Sequence, residues 1–305
     1  MRVTICDVGP RDGLQNEATH LDPGVRAELV NWLARCGLPR VEAVSFVDPR
    51  RVPQMGGAEE VVAAAEVVPD TTYSGLVLNE KGYDRLAAAG LGEAHFAFAC
   101  TETFNRRNQN ATVEESIQAA ARIVKRAHDD GVRTTITLAA AFGCPFEGEV
   151  DPAVVLDIAN RVVAAGTDEL LLADTIGVGV PGEVGRLVHG ALQFGVPVGV
   201  HLHDTRHTAV ANAFAAFEAG ATVFDAAVGG IGGCPFAPRA TGNVCTEDLL
   251  YAFHRQGVET GVNLDALIEV AEWLSTQLGR VLPGRVYRAG NWPASTSQGG
   301  RNSEQ

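Results

Sequence analysis

Two histidines one residue apart give the chain its first chemical possibility: Gly199-Val200-His201-Leu202-His203-Asp204-Thr205, led in by Val196 and Val198. Apolar residues alternate with histidine, and residues two apart in a strand share a face. His201 and His203 therefore point the same way, with Leu202 turned to the opposite side. Two imidazoles on one face, at the end of an apolar strand, form half a site for a divalent metal. An isolated pair of this kind is more often two hydrogen-bonded histidines near a barrel rim. The company the pair keeps decides between the two readings.

That company falls where apolar runs give way to loops. After the first run comes Asp7-Val8-Gly9-Pro10-Arg11-Asp12-Gly13-Leu14-Gln15-Asn16-Glu17, with carboxylates, an arginine and two amides beyond what a Gly-Pro turn requires. The second run contains Glu42 between Val41 and Ala43. A carboxylate there must be paired, bind a metal, or carry a shifted pKa. A structural salt bridge with a barrel arginine explains it equally well. The sixth run ends in Ala173-Asp174-Thr175, followed by Gly177-Val178-Gly179-Val180-Pro181-Gly182. These glycines match a dinucleotide fingerprint, with Asp204 about twenty residues on, but they begin too late after the strand and sit sixth in a series. They read as a loop beside the site, with Asp174 facing the metal region. After the eighth run, Gly229-Gly230-Ile231-Gly232-Gly233 leads into Cys234-Pro235-Phe236. The triplet recurs at Cys144-Pro145-Phe146. Glycine-conferred freedom marks Cys234 as the functional copy, on a lid that could bring its thiol over a substrate.

The elements that must position these residues follow from the alternation of short apolar runs with amphipathic stretches. The runs lie near Val3–Cys6, Arg40–Phe46, Thr72–Val77, Ala94–Cys100, Thr134–Leu138, Glu169–Leu172, Val196–His201 and Thr222–Asp225. Helical stretches between them include Pro23–Cys36, Ala58–Val67, Val113–Asp130, Pro152–Ala165, Pro181–Phe194 and Ala209–Ala219, several of them ending in glycine (Gly37, Gly131, Gly166, Gly195 and Gly220). About eight such units predict an α/β fold, a (β/α)8 TIM barrel, with a doubly wound sheet as the alternative. Extra C-terminal helices are expected near Glu247–Gln256 and Leu264–Leu278, making one domain over residues 1–288. The polar tail from Ala289 to Gln305 is expected to be disordered. The 305 residues, 46% hydrophobic with a net charge of -13, describe a soluble globular protein and argue against nonspecific nucleic-acid binding. Cys6, Cys36, Cys100, Cys144, Cys234 and Cys245 contain no Cys-x-x-Cys pair, and neither a leader nor a membrane-length apolar run is apparent. A cytoplasmic setting is expected.

These motifs together resemble the 3-hydroxy-3-methylglutaryl-CoA lyase family of DRE-TIM metallolyases. The resemblance runs from about residue 2 to 285 through Val8–Glu17, Glu42 with Ser45-Phe46-Val47, Val52-Pro53-Gln54-Met55, Gly143-Cys144-Pro145, Asp174-Thr175-Ile176-Gly177, His201-x-His203-Asp204-Thr205, Gly232-Gly233-Cys234-Pro235, and Gly242-Asn243 with Thr246-Glu247-Asp248-Leu249. It implies metal ligation by Asp12, His201, His203 and Asn243, with Mg2+ or Mn2+ as cofactor. It implies an acyl-CoA substrate contacted by Arg11, Gln15 and Asp174, and a homo-oligomer, expected to be a dimer. The implied reaction is a retro-Claisen cleavage releasing acetyl-CoA and a keto acid. Arg11 would neutralise the developing enolate, Cys234 would take part in proton transfer, and Glu42 would be an essential acid beside the metal. Asp12, His203 and Glu42 are all candidates for the base that takes the hydroxyl proton.

The chain also departs from the family. Asp7 stands where glutamate is usual, Ala18 where lysine often follows, and Arg206-His207 where animal enzymes have Tyr-Gly. None removes an implied ligand, but they leave the acyl group open, with citramalyl-CoA as an alternative substrate. A Claisen-type synthase would share the metal site but would be expected to lack the cysteine loop. A nicotinamide-dependent oxidoreductase would rest on Gly177–Gly182 alone, and a non-catalytic CoA-binding protein would not need all four implied ligands.

Overall fold

The computed structural model describes residues 2–233 and 242–293. Eight parallel strands close into a barrel in chain order: β1 (Thr4–Asp7), β2 (Arg40–Ser45), β3 (Thr72–Val77), β4 (Glu93–Ala99), β5 (Arg133–Ala139), β6 (Glu169–Asp174), β7 (Val198–Leu202) and β8 (Val223–Ala226). β1 pairs with β2 on one side and with β8 on the other, through Thr4 opposite Val223 and Asp7 opposite Ala226. That closure removes the doubly wound alternative and makes the fold a (β/α)8 TIM barrel. Each strand is covered by helices outside and meets the lumen inside, which is why β2, β6, β7 and β8 are buried along their whole length.

The helices are α1 (Pro23–Arg35), α2 (Ala58–Ala64), α3 (Glu80–Ala89), α4 (Glu102–Gln109), α5 (Val113–Asp129), α6 (Pro152–Ala164), α7 (Pro181–Ala191), α8 (Ala209–Ala219), α9 (Thr246–Arg255), α10 (Leu264–Leu278) and α11 (Val286–Ala289). Proline opens α1, α6 and α7, where its missing N–H costs nothing. Thr112 and Glu115 form a reciprocal capping box on α5. The five glycines read as helix stops all adopt positive φ. Two stretches end sooner than expected. α2 stops at Ala64 because Ala65 turns extended, and the Glu66 N–H is then taken by Asn31 Oδ1 at 2.8 Å. α7 stops at Ala191 and tightens into a 3-10 turn over Leu192–Phe194. No described helix is long and apolar enough to cross a membrane.

The N-terminal end of the lumen is closed by charge. Arg40, Glu93, Arg133 and Glu169 are the first residues of β2, β4, β5 and β6. Arg40 reaches across the barrel to Glu169 and also pairs with Glu93 at 3.3 Å. Arg133 donates to Glu169 at 2.8 Å, and the Thr135 hydroxyl donates to Glu93 at 2.8 Å. Function is left to the opposite end, where the strands run out into their longer loops.

Candidate active site

The C-terminal mouth gathers residues from four distant parts of the chain. His201 and His203 project from β7 and its end on the same side, their Nε2 atoms 3.4 Å apart. After β1 the chain makes a wide π-helical turn over Gly9–Gly13, closed by the Gly13 N–H on Val8 O at 3.1 Å. This turn delivers Arg11 and Asp12 side by side to the lumen. One ligand atom each from Asp12, His201 and His203 lies within 4.8 Å of the others, so the three could hold one metal ion. Asn243 joins them from a short segment that bridges to His203, its Nδ2 donating to Asp12 Oδ2 at 2.9 Å. Its amide oxygen Oδ1 is buried and has no hydrogen-bond partner among the described residues. A carboxylate, two imidazoles and a buried amide oxygen with unspent lone pairs are a fitting donor set for a divalent cation.

Charge is strongly organised around this cluster. Arg11 Nη1 donates to Asp12 Oδ1 and Arg11 Nε donates to Glu42 Oε2, both at 2.6 Å. Burial alone would push the Asp12 carboxyl up, but Arg11 and the two histidines hold it well below the usual carboxylate range. Glu42 is also held below its ordinary value, against burial, by Arg11 and His95. Arg11 loses stability as a cation through burial and regains more from the two carboxylates, so it stays charged. His201 is raised above its ordinary value, since Asp225 and Asp12 outweigh its desolvation.

These groups open on a cavity of about 760 Å³ lined by Arg11, Asp12, Gln15, His95, His201 and His203 among others. Gln15 is thus placed where a substrate contact is expected, with its Oε1 buried and unpartnered among the described residues. Arg50, Arg51, Lys81 and Arg85 bring positive charge to the same cavity in a chain that is acidic overall.

Comparison with known proteins agrees with this arrangement. The HMGL-like family model matches residues 2–274. The chain belongs to the HMGL-like family. It is 46% identical over 300 residues to the (R)-citramalyl-CoA lyase of Chloroflexus aurantiacus, covering 94% of this chain and 95% of that protein. It is 40% identical over 291 residues to the mitochondrial hydroxymethylglutaryl-CoA lyase of Mus musculus, covering 94% and 89%. An HMG-CoA lyase structure from Acinetobacter baumannii, in complex with coenzyme A and 3-methylmalate, superposes with a TM-score of 0.92 at 36% identity, covering 96% of each chain.

Within this HMGL-like protein, two expectations about the site change. Asp174 does not face the metal region. Its neighbours Ala173 and Thr175 line the cavity, while Asp174 itself is buried and its carboxylate accepts the Val178 and Gly179 N–H groups, each at 2.9 Å. Side chains alternate along a strand, so a residue between two lumen-facing neighbours must point away. The same bonds consume the N–H groups that a dinucleotide phosphate would need. Gly229 and Gly230, read as giving a loop its freedom, are buried in a tight turn with positive φ. A Cβ on Gly229 would run into the Leu282 side chain, so glycine is needed there for close packing against the C-terminal segment. Cys234 lies outside the described residues. Cys144 is buried among Ala99, Phe104 and Ala140, its sulfur accepting the Thr101 hydroxyl at 3.0 Å.

Glu42 is fully buried, and it is absent from the residues that line the cavity. Both readings of it hold in part: it is an arginine-paired carboxylate, and the arginine is Arg11 of the site. The shorter Asp7 is also buried, accepting the Gly9 N–H at 2.8 Å and the Thr246 hydroxyl at 2.7 Å, and burial pushes it up to about 7. Sequence reasoning missed Asp225, whose Oδ2 lies 3.1 Å from His201 Nδ1 and fixes which face of that ring meets the cluster. It also missed His95 and Thr137 on the cavity wall. The argument applied to Glu42, a polar group inside an apolar strand, would have found all three.

Proposed function

We propose that this HMGL-like protein is a divalent-metal-dependent lyase, using Mg2+ or Mn2+, that cleaves a 3-hydroxy-3-methylglutaryl-CoA-like thioester to acetyl-CoA and a keto acid. The observation that carries the reading is the convergence of Asp12, His201 and His203 beside Arg11 in one cavity. Asp12, His201, His203 and Asn243 would hold the cation, which when bound would acidify a substrate hydroxyl. Arg11, fixed by two carboxylates, presents a permanent positive charge to the thioester oxygen as it becomes an enolate. Asp12 and His203 line the cavity and could receive the hydroxyl proton, whereas Glu42 acts by holding Arg11 and His95. Cys234 is proposed, on the family resemblance, to return a proton to the enolate carbon. The basic residues at the mouth suit the phosphates of a coenzyme A thioester.

Citramalyl-CoA is the second reading of the substrate, favoured by the greater identity to the Chloroflexus enzyme. The two thioesters differ by one methylene, and both cleavages release acetyl-CoA. Mass spectrometry of products from a panel of 3-hydroxyacyl-CoA thioesters, with Mg2+, separates them: acetoacetate marks one and pyruvate the other. His203→Ala is expected to abolish metal binding and cleavage together while the barrel stays folded. Absence of acetyl-CoA from every thioester would overturn the lyase reading.

A further inference from the structure

Arg11 is held from behind by a chain of hydrogen bonds that runs through three further strands. Its Nε donates to Glu42 Oε2 on β2, and the second oxygen of that carboxylate, Oε1, lies 2.5 Å from His95 Nδ1 on β4. His95 Nε2 in turn lies 2.6 Å from Thr137 Oγ1 on β5. Strand phase makes the last contact possible. His95 pairs opposite Thr135 and Ala97 opposite Thr137, so His95 and Thr137 are diagonal neighbours on one face of the sheet. Glu42 is 0% exposed and His95 and Thr137 are 5% exposed each, which leaves water little access to break the chain.

Each proton in the chain has one place. Glu42 is an ionised carboxylate and can only accept, so His95 Nδ1 carries the proton of a neutral imidazole and donates it. Nε2 is then the acceptor, and the Thr137 hydroxyl donates to it. Thr137 therefore favours the tautomer that Glu42 needs, since the other would turn a ring lone pair towards a buried carboxylate. The last torsion of a glutamate is broad when the carboxylate is free. With a donor on each oxygen, the Glu42 carboxylate keeps one plane, and the guanidinium bonded to Oε2 keeps its own. Asp12 takes Arg11 Nη1 at 2.6 Å, and no described residue accepts from Nη2, so Nη2 is the group left for a ligand. We infer that His95 and Thr137 are positioning residues for Arg11, acting through Glu42 to hold the guanidinium at the angle at which it meets the developing enolate. The inference rests on the lyase reading for what Arg11 does.

The test uses the full chain with Mg2+ and with citramalyl-CoA and HMG-CoA as substrates. His95→Leu leaves Glu42 Oε1 without a donor. It should lower kcat about ten- to a hundredfold, the scale of a misplaced reacting group, with little change in KM. His95→Asn can still donate to Glu42 and should recover most of the loss. Thr137→Val removes only the control of the tautomer and should cost about threefold, as for one neutral hydrogen bond, with Thr137→Ser restoring it. The deciding measurement is a cycle with Arg11→Lys. Lysine has no plane for Glu42 to hold, so in that background neither variant should lower kcat further, whereas damage unrelated to Arg11 would multiply with it. A readout apart from activity is the Arg11 Nε–H resonance, slow to exchange in the wild type and faster in both variants. Thr137→Val carries the same cycle if His95→Leu does not fold. Unchanged kcat, a loss confined to KM, losses that multiply in full with Arg11→Lys, or unmoved Nε–H exchange would overturn the inference while leaving lyase activity intact. A wild-type protein that cleaves neither thioester, yet loses Nε–H protection in the variants, would retain the positioning of Arg11 and lose the lyase reading.

Discussion

The two ends of the barrel bury charge in similar amounts and to opposite effect. At the N-terminal end, Arg40, Arg133, Glu93 and Glu169 satisfy one another, with Thr135 completing the set. At the C-terminal end, Arg11, Asp12 and Glu42 are equally well paired, but Gln15 Oε1, Asp225 Oδ1 and Asn243 Oδ1 are buried without partners among the described residues. The first network closes on itself, and the second leaves acceptors unspent around a cavity. Burial of charge therefore does not mark a functional site in this fold. Unspent hydrogen-bonding capacity beside that charge does.

The largest effect that would sharpen the contrast comes from the closed end. Glu169→Ala removes the carboxylate shared by the buried Arg40 and the half-buried Arg133 and leaves both to Glu93. Breaking a buried pair in this way costs about 3–5 kcal/mol. Chemical denaturation should show that loss, with activity per folded molecule unchanged. A variant of normal stability and reduced kcat would erase the distinction between the two ends.

Arg11→Lys, at the open end, should do the reverse. Lysine keeps the charge but cannot serve Glu42 and Asp12 with two fixed donors while facing the enolate. A fall in kcat of about a hundredfold, corresponding to about 3 kcal/mol, is expected with little change in Tm. A raised KM at normal kcat would assign Arg11 to plain substrate binding.

A smaller loss is expected one layer out. Asp225→Asn weakens the hold on His201 Nδ1, and such partners are worth about 10- to 100-fold in metal affinity. Titration calorimetry with Mn2+ measures it. Unchanged affinity would make Asp225 a bystander.

The gentlest test is by pH and concerns the buried turn at Gly229 and Gly230. Glu247 accepts the Gly229 N–H with both oxygens, and burial raises its carboxyl to about 8. A folded-state value above the unfolded one means that folding favours the protonated form. This contribution is fully present below about pH 4.5, the unfolded value, and is lost as pH rises towards 8. Asp7, raised by burial to about 7, acts in the same direction. Glu247→Gln should therefore flatten the decline of Tm between pH 5 and 9 that these groups impose on the wild type. An identical pH profile in the variant would show that Glu247 ionises freely in the folded state.

How much of this was legible in the sequence depended on whether a residue's meaning was local. The strands were, because apolar runs bounded by glycine stops leave few other conformations. Helices α3 and α4 were not: Gly82 interrupts one, and the other buries only Phe104 and Asn105 in a highly polar stretch. His201, His203, Asp12 and Asn243 were legible through motif resemblance, and the structure brings them together. Asp174 was misplaced because its direction depends on strand phase, which shifts every side chain by one face per residue. The network of Glu42, His95 and Thr137 was illegible for a different reason. It joins β2, β4 and β5, and which of their side chains meet depends on the strand order and on the inward phase of each strand.

The central claim, that the open end of the barrel is a metal-dependent centre for carbon–carbon cleavage, is tested most directly by chelation and reconstitution. Protein stripped of divalent cations is incubated with citramalyl-CoA or HMG-CoA, and acetyl-CoA is followed as Mg2+ or Mn2+ is titrated back. The account predicts no acetyl-CoA from the stripped protein, restoration that saturates with added cation, and no restoration in His203→Ala. Full-rate release of acetyl-CoA by the stripped wild-type protein would contradict it.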